Sequence, residues 1–350
     1  MAKKLKKKLK KKSKIGISLF VVIVLLGIGG YYYLHLSKEE EPTPAEAKTQ
    51  TPVEVKKLNI IDEDSNIRPY AIMVNNIVDA RKNHAGLQDA YIVYELIVEG
   101  GITRYLALFK DVDTARIGSV RSSRHYFLDY AMENDAIYVH HGQSPQAAAD
   151  FKTLKLDRIE VAEGKTGWRD KTLGVATEHT LFTSIEKLNT VTSLRKEMNK
   201  DLLLNYSIEE INLEELEGSK EAKNVSIRYS SSLNNIYEYD SVNKIYKRTI
   251  NSTPHVDGIT KKQYTVKNII TYQVPNGQIK NDEKNRQELN NIGSGSGWYI
   301  TNGYAVPITW SKTSRSAQTV YKYQNGKEID VNDGNTWIHI QPKDQTLNIS

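Results

Sequence analysis

Twenty-two consecutive residues without a formal charge, Ile15–Leu36 (IGISLFVVIVLLGIGGYYYLHL), constrain this chain more than any other stretch. As a helix the run spans about 33 Å, the thickness of a bilayer's hydrocarbon core. Nine lysines crowd the fourteen residues before it, and Tyr31, Tyr32 and Tyr33 close its far end. Cytoplasmic lysines and interfacial tyrosines predict an uncleaved, single-pass anchor at 15–36 in the cell membrane, with a basic tail (1–14) inside. A cleaved signal peptide is the rival, but bulky Tyr and Leu stand where small residues should follow the apolar run. Residues 37–57 (SKEEEPTPAEAKTQTPVEVKK) are charged, contain three prolines and lack aromatics, so they read as a tether to an extracytoplasmic part.

Charge narrows what that part does. The chain has 48 Lys+Arg and 42 Asp+Glu; without the nine tail lysines, 48 − 9 = 39 basic residues face 42 acidic ones, a balance of −3. The cationic excess sits in the tail, which argues against a nucleic-acid partner. With no cysteine anywhere, thiolate metal sites, a catalytic thiol and a lipidated cysteine are ruled out within these 350 residues. The eight histidines show no metal-binding spacing, and no metal or cofactor is expected; His84, His140, His179 and His255 converge only if the fold brings them together.

The expected fold is α+β. A mixed α/β domain over 58–205 precedes a smaller, mainly antiparallel β domain over 220–345. In the first, RPYAIMVNN (68–76) and AIYVHH (136–141) read as strands, and Tyr91–Glu99 and Ile102–Lys110 as arms of a hairpin with a two-residue turn at Gly100-Gly101. Tyr126, Phe127, Tyr130 and Ala131 give helical spacing over Ser123–Asn134. Ser144-Pro145 opens another helix, with serine as cap and proline at the first position. Thr183–Leu203 reads as a third. After Asn224 the chain becomes short, β-branched, tyrosine-rich runs with turn signals at Asn325-Gly326 and Asp333-Gly334, while GSGSG at 293–297 reads as a flexible turn.

Two stretches carry chemistry. RIGSVRSSR (116–124) sets Arg116, Ser119, Arg121, Ser122 and Arg124 just before a predicted helix start, where free backbone N–H groups and guanidinium forks suit phosphate or carboxylate. The competing reading pairs those arginines with Glu95, Glu99 or Asp129. HHGQS adds His140, His141 and Ser144 at the end of a strand, where ligands of open sheets collect. Alternation lets only one of the two histidines point inward, and HGQSP lacks the second glycine of a nucleophile elbow. Trp298, Trp310 and Trp337 either stack on sugars or fill a core.

These same residues resemble the YerB-like lipoprotein family, a bacterial cell-envelope family of unknown function. The matching stretches are RPYAIMVNN, GLQDAYIVYELIVEGGITRYLALF (86–109), RIGSVRSSRHYFLDYA (116–131), DAIYVHHGQSP (135–145) and WRD (168–170). In the second half they are YEYDSVNKIYKR (237–248), PHVDG (254–258), ITWSK (308–312) and DGNTWIHIQP (333–342). The resemblance implies an N-terminal and a C-terminal family domain and an extracytoplasmic address. Two departures stand out. The lipid-bearing cysteine of many relatives is absent, and Glu178-His179-Thr180 replaces an expected Pro-His-Asn triplet, so only His179 carries over.

Two functions follow as expectations. One is a tethered binding or scaffold protein that grips an anionic cell-wall glycan, a lipid-linked phosphate or an envelope protein through the arginine loop. The other is an enzyme on cell-wall polymers, a hydrolase or phosphoglycosyl transferase, with His140 or His141, Glu99 and Asp170 as proton carriers.

Overall fold

The computed structural model describes residues 24–35 and 56–350. Residues 24–35 are helical and exposed; among the described residues no helix is long and apolar enough to cross a membrane. The rest of the expected span, the lysine tail and nearly all of the tether lie outside the described residues. Lys56–Ser350 forms one compact unit, separate from Met1–Val55. It is a mixed structure of many strands and few helices.

The first half supplies β1 (Tyr70–Asn75), β2 (Ile92–Ile97), β3 (Thr103–Phe109), β4 (Ile137–His140) and β5 (Arg158–Glu160), with helices α1 (Phe127–Glu133) and α2 (Pro145–Thr153). The second supplies β6 (Asn224–Ser230), β7 (Leu233–Asp240), β8 (Ile245–Ile250), β9 (Asn268–Val274), β10 (Gly293–Thr301), β11 (Tyr304–Lys312) and β12 (Thr336–Pro342). One eleven-stranded sheet runs through both halves in the order Lys220–Glu221, β11, β10, β9, β12, β2, β3, β1, β4, β5, with Val320–Tyr323 on β11. The seam is the parallel pair β2–β12, in which Glu95 stands opposite His339. An antiparallel sheet built on β6, β7, β8 and Leu347–Ile349 covers one face of that seam.

Strand alternation explains why a carboxylate occupies an apolar strand. On β2, Tyr94 reaches Glu133 of α1 (2.7 Å), while its neighbour Glu95 meets the covering sheet. There Arg248 Nη2 donates to Glu95 Oε2 (2.8 Å) and to Asn235 Oδ1 (2.8 Å), and Thr103 Oγ1 donates to Glu95 Oε1 (2.7 Å). Both ionic side chains are wholly buried, and Trp337 places its ring 4.3 Å from the guanidinium. The pair joins the halves. A second buried pair, Lys312 with Glu133 (2.7 Å), ties β11 to α1 in the same way.

Four local expectations change. The glycine pair does join β2 to β3, but through a three-residue turn, Glu99–Gly101, with Val98 N–H donating to Ile102 C=O (2.8 Å). The helix expected at Ser123–Asn134 covers only Phe127–Glu133, because the backbone before it bonds elsewhere: Arg121 N–H donates to Met73 C=O of β1 and Ser123 N–H to Gly142 C=O. The helix expected at Thr183–Leu203 covers only Ile185–Asn189 and stops before Thr190-Val191-Thr192-Ser193, whose β-branched and hydroxyl side chains are poor helix formers. GSGSG is strand, not turn. The Ser144 helix forms as expected, its hydroxyl accepting from Ala147 N–H (3.1 Å).

Breaking the seam pair from one side leaves an uncompensated buried charge, so Arg248→Met should lower stability by about 3–5 kcal/mol. Adding Glu95→Gln should recover part of the loss. Urea unfolding of wild type, both single variants and the double variant measures this, and a double-variant cost equal to the sum of the singles would show the pair is uncoupled.

Candidate functional site

The arginine loop lies across the carboxyl ends of the parallel strands β1 and β4. Asn75 N–H donates to Ser119 C=O (3.0 Å), Val120 N–H to Leu181 C=O (2.8 Å), His141 N–H to Arg121 C=O (3.1 Å) and Ser144 N–H to Ser123 C=O (3.1 Å). RIGSVRSSR and HHGQS are therefore sewn together. Gly118 makes the crossing possible: its φ of 145° belongs to glycine, and a Cβ there would lie 3.0 Å from Leu181 C=O.

The loop does not sit on a helix N-terminus. α1 begins only at Phe127, lacks a side-chain cap, and is seven residues long. The site expected from free helical amides is thus replaced by side-chain donors. Arg116 Nη2 pairs with Asp170 (2.9 Å) and its guanidinium lies 3.8 Å from the Phe182 ring centre. Arg121 Nη2 pairs with Glu178 (3.0 Å). Arg124 grips both oxygens of Glu99, which Arg104 also approaches (3.2 Å). Burial alone would push the Glu99 carboxyl up, but the Arg124 hydrogen bond and the two arginine charges hold it at about 2. Of the three carboxylates expected as partners only Glu99 serves this loop, since Glu95 belongs to Arg248 and Asp129 to Arg315 (2.6 Å).

The remaining expected residues divide. Ser144 caps α2. His140 is buried, stacked between Tyr138 and Phe151, with Nδ1 on Gly142 C=O (2.9 Å); burial lowers its pKa. Ser122 gives its carbonyl to Arg104 and is half-buried. His141 stays half-exposed: Arg169 donates to its Nε2 (3.2 Å), so its Nδ1 carries the hydrogen given to Val161 C=O (2.9 Å). Among the buried side-chain atoms of the loop, Arg116 Nε, Ser119 Oγ and Arg121 Nε have no partner. Of the expected proton carriers, Glu99 bonds Arg104 and Arg124, Asp170 bonds Arg116 and Thr172, and His141 bonds Arg169. Among the described residues no three His, Cys, Asp or Glu side chains are grouped to hold a metal. Trp310 and Trp337 are buried, and half-buried Trp298 has Lys220 4.2 Å from its ring.

Beneath the loop runs a polar chain that sequence reasoning did not assemble. Arginine only donates, and that fixes every proton downstream of Arg248. Its Nη1 donates to His255 Nδ1 (2.6 Å), so His255 donates from Nε2 to His84 Nδ1 (2.7 Å), and His84 from Nε2 to Asn75 C=O (2.5 Å). Its Nε donates to Tyr237 (3.0 Å), which donates to His339 Nε2 (2.7 Å), whose Nδ1–H faces Tyr229 (3.1 Å); Tyr229 then donates to Glu95 C=O (2.7 Å). Asn75 Nδ2 continues outward to His179 Nδ1 (2.8 Å). Of the four histidines considered together, His84 and His255 bond each other, His179 joins them only through Asn75, and His140 bonds Gly142 instead. The available signal was the lone charged or imidazole residue inside an apolar strand: Glu95 in IVYELI and His339 in TWIHIQP.

Comparison with known proteins agrees with this architecture. A protein family of unknown function (DUF3048) matches in two parts, its N-terminal domain over residues 58–199 and its C-terminal domain over residues 225–338. The Bacillus subtilis (strain 168) protein named "Putative lipoprotein YerB" is 29% identical over 292 residues, covering 81% of this chain and 84% of that protein. The crystal structure of YerB protein from Bacillus subtilis superposes with a TM-score of 0.70 at 27% identity, covering 81% of this chain and 94% of the other.

The imidazole chain sets a pH dependence. Burial, reinforced by the Arg81 and Arg248 charges, pulls His84 down to about 3, and burial with Arg248 pulls His255 and His339 well below their ordinary 6.5. Above pH 6.5 these residues are neutral folded or unfolded and do not contribute. Below it the unfolded chain binds protons that the folded one refuses, so stability falls with pH, by up to about 1.4 kcal/mol per pH unit for each histidine. Urea midpoints between pH 7.5 and 5 should drop accordingly, and His84→Asn should flatten the slope; an unchanged slope in that variant contradicts the assignment.

Proposed function

The chain belongs to the DUF3048 family, and from that membership and the geometry of the 116–124 loop we propose that it is a membrane-held envelope protein that receives an anionic group of the cell surface. The hydrophobic run at 15–36 behind nine lysines, with no cysteine in the 350 residues, favours a membrane-spanning anchor where the Bacillus relative is named a lipoprotein. That address puts the main unit on the extracytoplasmic side, beside wall glycans, lipid-linked phosphates and envelope proteins.

One observation carries the binding reading: Arg116 Nε, Ser119 Oγ and Arg121 Nε are hydrogen-bonding groups on a single loop, buried at the atom and without a partner. Leaving such groups unpaired costs about 1–3 kcal/mol each, which an anionic ligand or ordered water would offset. The Arg121–Glu178 pair is the natural point of exchange. Glu178 is more than half exposed, and exposed pairs contribute about 1 kcal/mol or less, so a phosphate or carboxylate can take its place. Arg124 is different: it is nearly enclosed on Glu99 and holds the turn between β2 and β3. Arg116 and Arg121 bind in this reading, and Arg124 supports.

The test is a titration of the full chain in lipid nanodiscs with inorganic pyrophosphate and, separately, with a polyprenyl phosphate in the bilayer. Arg121→Ala should weaken binding about tenfold, near 1.4 kcal/mol, and rising salt should weaken it further. Pyrophosphate binding alone points to a soluble or polymer phosphate; a preference for the polyprenyl form points to a lipid-linked one. Equal affinity of wild type and Arg121→Ala, or no binding of either anion at millimolar concentration, removes the proposal.

A further inference from the structure

The GSGSG stretch opens a second site, distant in sequence from the arginine loop and independent of it. Asn302 and Gly303, both at positive φ (50° and 82°), form the two-residue turn between β10 and β11, which closes on the pair Thr301–Tyr304. Such a turn makes the closing pair the one that exchanges both hydrogen bonds. Alternation back along β10 then points the backbone groups of Gly297, Gly295 and Gly293 at β11, and those of Ile300, Trp298, Ser296 and Ser294 at the other side. Ile300 and Trp298 meet Ile269 and Thr271 of β9 there. β9 pairs with β10 only as far as Tyr272–Gly297 and then keeps company with β12 alone. The N–H and C=O groups of Ser294 and Ser296 are left facing a gap, and residues 293–296 are exposed.

The gap is a cavity of about 690 Å³ between the diverging strands, lined by Gln273, Asn290, Ser294, Ser296, Trp310 and Lys343 among others. Gly295 faces Trp310 across the ladder, so both belong to one face of the sheet. A Cβ on Gly295 would lie 2.8 Å from Trp310 Nε1. The indole lies across the space a Gly295 side chain would need, with Cε2 3.3 Å and Cζ2 3.6 Å from that Cβ position, so the glycine is what lets the ring pack there. Trp310 is 4% exposed and its Nε1 has no partner; Thr271, wholly buried on the same cavity, has an unpartnered Oγ1. A buried indole N–H lacking an acceptor, beside four unpaired backbone groups, is an incomplete hydrogen-bonding surface.

We propose that this cleft binds an extended peptide segment of a partner protein, which adds to the sheet as a strand along Ser294–Ser296 and brings a side-chain oxygen within reach of the unpartnered Trp310 N–H. Strand addition draws its affinity from main-chain bonds and its specificity from alternate side chains. A glycan is the weaker fit, because Trp310 and Tyr272 are buried and present no ring face to stack on. Threonine suits the peptide, since it carries an acceptor oxygen for the indole N–H and favours extended backbone.

Amide hydrogen exchange of the ¹⁵N-labelled full chain in detergent tests this, with a capped peptide of alternating threonine and valine flanked by lysines. Its addition should slow exchange at Ser294 and Ser296 at least tenfold. Ser296→Pro, which removes an outward N–H without touching a bond to β11, should abolish the effect. The same peptide with N-methyl groups on alternate residues, made in both registers, should protect in one register only, a control that needs no variant to fold. No protection at millimolar peptide, equal protection by both N-methyl registers, or protection by an N-acetylglucosamine tetramer in place of the peptide overturns the proposal.

Discussion

The ion pair between Glu95 and Arg248 organises this molecule because its two charges come from different halves of the chain. Glu95 lies on β2 and Arg248 on β8, and neither has solvent to fall back on. Two isolated ions in such a place would each cost several kcal/mol to desolvate; together they repay it only when the other lone pairs and protons are also met. Here Thr103, Asn235, His255 and Tyr237 meet them. Each half alone would carry a buried charge without its counterion. The two stretches recognised as separate family domains are thus energetically one object at the seam, and the insertion of β12 beside β2 makes the same point in the backbone.

From that pair, order spreads by proton direction rather than by contact alone. A carboxylate can only accept and a guanidinium can only donate, so every imidazole and hydroxyl between them has one tautomer or rotor that satisfies its neighbours. Asn75 is the point where this reaches the arginine loop. Its carbonyl ends the His255–His84 relay, its amide holds His179, and its N–H fixes Ser119. The arginine loop is positioned by the core beneath it, which is how a loop can hold side chains in place without a helix to stand on.

Much of the architecture was legible in the sequence. The β1 and β4 strands, the β2–β3 hairpin and the Ser144 cap all follow from patterning and turn chemistry. Two of the errors share one cause, since pattern cannot count hydrogen bonds. Ser123–Asn134 has a helical period, but its first residue bonds Gly142 and the helix begins only at Phe127. GSGSG has the composition of a loop, and β11 made it a strand. The polar core was least legible because its members, Glu95, Arg248, His255 and His339, lie as far as 244 positions apart in number and each, taken singly, is an ordinary residue in a strand or turn.

The arginines of the loop show why an internal ion pair does not by itself settle what a guanidinium is for. Arg124 and Arg121 both face carboxylates, but the Arg124 side chain is 8% exposed against a Glu99 that is 24% exposed, and Arg121 is 23% exposed against a Glu178 that is 58% exposed. The first pair is bidentate, partly desolvated and shared with Arg104, so separating it strands charge. In the second, water already competes for the carboxylate, and the guanidinium keeps an unpartnered Nε. On the anion-binding reading proposed above, Glu178 occupies the position an external anion would take without holding it strongly. The carboxylate is then the protein's own placeholder, and a placeholder this exposed is cheap to displace.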